Sequence, residues 1–73
     1  MNWNDKTAKV LKAELVRAGI SHKELSERLR LIGVNATKSG IDSKLSRGTF
    51  SAVFLLQCLC AIGCTELVIP KRP

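Results

Sequence analysis

The chain has 73 residues, of which 45% are hydrophobic, 25% charged and 4% aromatic, which allows one small domain over residues 1–73 and leaves too little chain to wall a catalytic cleft. A domain of this size buries only about 60% of its unfolded surface, so its core is thin. Twelve Lys and Arg against six Asp and Glu give a net charge of +6, which points to a polyanionic partner, nucleic acid before an anionic membrane.

The first predicted helix runs from about Asn4 to Ala18. Thr7, Val10, Leu11, Leu15 and Ala18 recur at three- and four-residue steps and make one face of it. Lys6, Lys9, Lys12, Glu14 and Arg17 fall mostly on the other faces. Asn4 or Asn2 is its N-cap, Asp5 suits its first turn, and Gly19 stops it. Trp3 is expected to fold back onto that first turn as an anchor.

Ser21-His22-Lys23-Glu24 has the pattern of a capping box, with Ile20 placed to staple onto Leu25. Leu25, Leu29 and Ile32 form the buried stripe of the second helix, which Gly33 ends. Val34 to Thr37 is a turn, and Asn35 or Thr37 caps a third helix over residues 36–47. Ile41 and Leu45 are its buried positions, while Lys38, Ser39, Asp42, Ser43, Lys44 and Arg47 are expected on its exposed side. Gly40 within it costs up to about 1 kcal/mol against alanine, so this helix leans on its neighbours.

Ser51 caps a fourth helix, Ala52 to Ile62, stopped by Gly63. It is apolar nearly all round: Phe54, Leu55, Cys58, Leu59 and Ile62 make one face, and Val53, Leu56 and Cys60 another. Such a helix needs cover on every side. Thr65 to Ile69 reads as a short strand ended by Pro70, and residues 70–73 as a disordered end. The helical core is thus placed at residues 4–64 and the strand-like tail at 65–69.

This order of helices carries a resemblance. Leu11-Lys12-Ala13-Glu14-Leu15, Gly19-Ile20-Ser21, Glu24-Leu25-Ser26, Val34, Leu45-Ser46-Arg47-Gly48 and Leu59-Cys60-Ala61-Ile62-Gly63 resemble the lambda-repressor-like helix-turn-helix domain of the Cro/Xre regulators, over about three quarters of the chain. The segment Lys44 to Ser51, with Ala61-Ile62-Gly63-Cys64, also resembles a small bacterial family known only as a domain of unknown function. The first resemblance implies an all-α fold whose third helix enters the DNA major groove. It implies that His22 stands at a phosphate-contacting position and that Ser26 lets two helices cross closely. It places Thr37, Lys38, Ser39, Asp42 and Ser43 toward base edges, with Lys44 and Arg47 nearer the backbone. The departures are a long segment between Leu25 and Val34, Ser46 where that family usually has glutamate, and a strand-like tail in place of a fifth helix.

The residues support the same partner on physical grounds. Lys23, Arg28, Arg30, Lys38, Lys44 and Arg47 outnumber Glu24, Glu27 and Asp42 over the second and third helices, and cations supply most phosphate affinity. The expected function is sequence-specific binding of double-stranded DNA by a small bacterial or phage-type transcriptional regulator. Val53, Leu56 and Cys60, with Leu67, Val68 and Ile69, are expected to form a two-fold homodimer interface; the alternative folds the tail over its own fourth helix. The competing function is a protein-interaction or antitoxin-like module that uses this same apolar surface.

Enzymatic chemistry is not expected. His22 is the only histidine, and neither a phosphate loop nor a nucleophile elbow occurs. Cys58, Cys60 and Cys64 have C-x-C-x3-C spacing, and on a helix Cys58 and Cys60 point about 200° apart, so no zinc site, other metal or cofactor is expected. An odd cysteine count behind a polar start, with no apolar run near the roughly 18 residues of a membrane span, predicts reduced thiols in a soluble, cytoplasmic protein with no membrane partner.

Overall fold

Four residues of the types that favour helix starts, Asn2, Ser21, Thr37 and Ser51, each accept backbone N–H groups through a side-chain oxygen, and a helix follows each. In the computed structural model these helices are α1 (Trp3–Ala18), α2 (His22–Leu31), α3 (Lys38–Arg47) and α4 (Ala52–Ala61). The structure describes residues 2–67 and 69. Asn2 Oδ1 accepts from the amides of Asn4 at 2.9 Å and Asp5 at 3.3 Å, so α1 begins at Trp3, one residue before the expected start. Thr37 Oγ1 accepts from the Gly40 amide at 3.0 Å, which sets the start of α3 at Lys38 rather than residue 36.

The core is built where these helices turn their apolar stripes inward. Leu11 and Leu15 of α1, Leu25 and Leu29 of α2, Ile41 and Leu45 of α3, and Phe54, Cys58 and Leu59 of α4 form one buried cluster with Ile20. The pairs four residues apart follow the helical period, so each pair stacks on a single face. α3 packs on both α1 and α2, and α4 packs on α2. Burying one leucine contributes about 2 kcal/mol, and no single helix of this length is stable without such contacts.

Several expectations need correction. Ile32 does not join the stripe of α2: the helix ends at Leu31, and Ile32 is left 46% exposed. Val34 fills in instead, with its amide donating to the Leu29 carbonyl at 2.9 Å and its side chain packed on the core. Trp3 does not anchor the first turn from outside. It is itself the first helical residue, 66% exposed, with the Lys6 ammonium 5.1 Å from its ring centroid. Glu14 is buried rather than solvated.

The expected strand is also absent: among the described residues none is in a strand, and Thr65, Glu66, Leu67 and Ile69 have no regular structure. A lone β-branched run has nothing to pair with when the rest of the fold is helical and offers no edge. Leu67 instead packs on the core of its own chain and, with Ile69, borders a groove of about 210 Å³ against Trp3, Lys6, Thr7, Val10 and Leu55. Val68 and residues 70–73 lie outside the described residues.

The end of α3 is joined to the start of α1 by a close approach. Gly48 caps α3 with φ +68°, and a Cβ there would lie 1.9 Å from the Asn4 carbonyl oxygen. Only glycine satisfies both the left-handed backbone and the contact.

Candidate nucleic-acid interface

The residues expected at the DNA lie on α2, on α3 and at the N-cap of α3. Ser26, buried at the crossing, donates through Oγ to the Ala36 carbonyl at 2.5 Å. A larger side chain would push the connecting segment away, so this small residue pins the entry to α3 onto α2. Six residues, Ile32 to Thr37, join the two helices.

The predicted contact residues divide into two sets. The first is bonded internally. His22, the first residue of α2, places Nδ1 2.5 Å from Asp42 Oδ1, and Lys38 Nζ donates to Asp42 Oδ2 at 2.7 Å. An ionised carboxylate only accepts, so Nδ1 carries the proton. Lys38 first, and His22 second, hold the Asp42 carboxyl below its usual value. Thr37 is occupied as the N-cap, with Ser39 Oγ a further 3.4 Å away. Lys44 turns toward α4: its ammonium lies 5.2 Å from the Phe54 ring centroid, a cation–π contact, and Phe54 meets Phe50 edge-on at 5.7 Å.

The second set faces outward. Ser39, Ser43 and Arg47 follow one another at four-residue steps along α3, all exposed, and Lys23 is exposed at the start of α2. Arg30 is exposed as well. Arg28 is engaged by Glu24, with Nε and Nη2 each 3.0 Å from Oε2. That pairing explains why only half of the expected capping box exists. Ser21 Oγ accepts from the Glu24 amide at 3.1 Å, but the Glu24 carboxylate runs forward to Arg28, where an exposed i,i+4 pair adds about 0.3–0.5 kcal/mol.

The expected dimer surface divides too. Val53 and Leu56 are 64% and 65% exposed on α4, and Cys60 is exposed beside them. Ile69 is exposed, whereas Leu67 is half-buried in its own chain. Glu14 is the residue the sequence reading missed. Its carboxylate lies 3.2 Å from Arg17 Nη2, without hydrogen-bond alignment at that oxygen, and its other oxygen faces Cys64 Sγ at 3.7 Å. Cys64 also lies 3.2 Å from the Glu66 carbonyl, so these contacts fasten the tail to α1. The step from Leu11 to Glu14 lies on the buried face and is the one signal that could have found it.

Cys58 is fully buried, and burial pushes its thiol up to about 11 against a small opposing pull from Lys44. No group of three or more His, Cys, Asp or Glu that could hold a metal occurs among the described residues. No helix among them is long and apolar enough to cross a membrane.

The residues thus define an all-helical domain with a polar, cation-bearing face on α2 and α3 and an uncovered apolar face on α4. The chain belongs to the family described as a domain of unknown function, DUF6471, which it matches over residues 3–67. No curated protein and no solved structure matches it.

Proposed function

We propose that the chain binds double-stranded DNA sequence-specifically, as a small cytoplasmic transcriptional regulator of bacterial or phage type with α3 in the major groove, and that it is not an enzyme. The observation that carries this reading is the outward stripe Ser39, Ser43 and Arg47 on α3, with Lys23 also exposed at the start of α2. Short hydroxyl side chains let a helix approach base edges, and serine bonds to either kind of group there. The exposed cations Lys23 and Arg47 suit phosphates. The Ser26 clamp holds α3 in place on α2, as a docked helix requires.

The test is selection from a random duplex pool, followed by affinity for the enriched sequence at several salt concentrations. Lys23→Ala/Arg47→Ala should weaken binding on all sequences and reduce the salt slope by about 2. No enrichment, with weak binding to every sequence, would refute specific recognition.

The working unit in this reading is a two-fold dimer through Val53, Leu56 and Cys60 of α4, with Ile69 at its rim. Two copies would then address half-sites about 34 Å apart. A monomer by sedimentation equilibrium at high micromolar concentration would remove the dimer. The second reading, a protein-binding or antitoxin-like module, draws on the same exposed Val53 and Leu56. Salt separates the two: an apolar interface holds as salt rises, and a phosphate interface does not.

A further inference from the structure

We propose that Asp42 is a positioning residue of the DNA-binding face and not a base reader: its carboxylate holds the His22 ring and the Lys38 ammonium in place for the phosphate backbone. The inference rests on the DNA-binding reading above. A base-reading carboxylate must turn toward the amino group of cytosine. Each oxygen of Asp42 already accepts one hydrogen bond, Oδ1 from His22 at the start of α2 and Oδ2 from Lys38 one turn earlier on α3, so these two partners set the direction of the carboxylate. A bare carboxylate on a phosphate-facing surface is repelled, and this one is matched on both sides.

The three side chains remain in reach of a ligand, at 31%, 41% and 61% exposure for His22, Asp42 and Lys38. Nδ1 of His22 is committed to Asp42, so Nε2 lies on the opposite edge of the ring, turned away from the carboxylate. In the neutral ring Nε2 is an acceptor, and a phosphate oxygen needs a donor. A phosphate at this position is therefore bound by the ring with a second proton, taken from solvent onto Nε2. The resulting cation lies between two anions, the phosphate and Asp42. Asp42 on α3 meets the ring, Lys38 sits on the other oxygen of that carboxylate, and Lys23 follows His22 in the chain.

The experiment measures affinity for the selected duplex from about pH 5.5 to 8, the range in which histidine titrates, with wild type, D42N, D42A and H22Q, each checked for folding by circular dichroism. Wild-type affinity should tighten toward acid, and H22Q should lose most of that slope. D42A should bind about five- to tenfold more weakly, the worth of one ordinary hydrogen bond, although it removes a negative charge from a DNA-facing surface. D42N, whose amide oxygen still accepts from Nδ1, should stay within about twofold of wild type at pH 8. Equal or tighter binding by D42A would overturn the proposal, because Asp42 would then only repel DNA. If D42A does not fold, a pH slope unchanged in both H22Q and D42N overturns it instead. Wild type that prefers no duplex refutes the DNA-binding reading before any variant is made, and the proposal with it.

Discussion

The outer faces of α3 and α4 treat their side chains in opposite ways. On α3 the central polar groups are bonded, Asp42 to both Lys38 and His22 of α2 behind the Thr37 cap, while Ser43 and Arg47 face outward around them. On α4, Val53, Leu56 and Cys60 stand in solvent, and the helix carries no charged residue. The first face keeps a defined shape by itself, because each hydrogen bond fixes a direction. The second has no direction built in and gains only by being covered. The difference teaches that exposure alone does not mark a site: a face can be exposed and internally committed, or exposed and uncommitted.

The largest expected effect breaks the frame behind the polar face. Gly48→Ala places a methyl group on the Asn4 carbonyl oxygen and strains the left-handed backbone, so it should leave the chain largely unfolded by circular dichroism at room temperature. Leu29→Ala comes next, at about 3 kcal/mol in urea unfolding, because Leu29 is fully buried where α2 meets the core. The matching change on the other face, Leu56→Ala, should stay within about 0.5 kcal/mol for the monomer. A larger loss that grows with protein concentration would sharpen the contrast, by showing that this face is covered by a second copy.

How far the sequence foretold these faces follows from the same contrast. Helix starts were legible because Ser21, Thr37 and Ser51 are cap residues immediately ahead of apolar periods, and the core pairs were legible because period alone places Leu25 over Leu29 and Ile41 near Leu45. The exposed apolar face of α4 was readable for the same reason. The His22–Asp42 pair was not, since it joins residues 20 apart whose meeting depends on how α3 crosses α2. Buried Glu14 escaped because a carboxylate is tolerated inside only with partners, and its partners are Arg17 and the distant Cys64. The expected strand failed because β propensity acts only where a neighbouring strand exists.

Two smaller effects test the polar and buried groups separately. Because its partners lower the Asp42 carboxyl, its contribution to stability is present above the unfolded value of 3.8 and fades as pH falls through the lower folded value. Asp42→Asn should therefore lower stability slightly at neutral pH and flatten the acid end of the pH–stability curve, the variant and wild type converging as pH falls. Cys58 has the opposite sign. Its thiol is raised from 9.0 to about 11, so its contribution is intact below pH 9 and declines as pH rises toward 11. Cysteine labelling under native conditions should accordingly modify Cys60 first and Cys58 only on unfolding, with mass spectrometry as the readout.

The uncharged character of α4 reaches beyond the folded state. Ala52–Ala61 holds one glutamine and no Lys, Arg, Asp or Glu to interrupt its apolar run. During synthesis α1, α2 and α3 emerge before it, yet the buried cluster they share is incomplete until Phe54, Cys58 and Leu59 arrive. Until α4 docks, that cluster is open, and the arriving segment has no charge to hold it apart from its copies on neighbouring chains. Placing a lysine at Val53 would supply that gatekeeper, and the yield of unaggregated protein on refolding would measure how much the apolar face costs the chain in order to remain available.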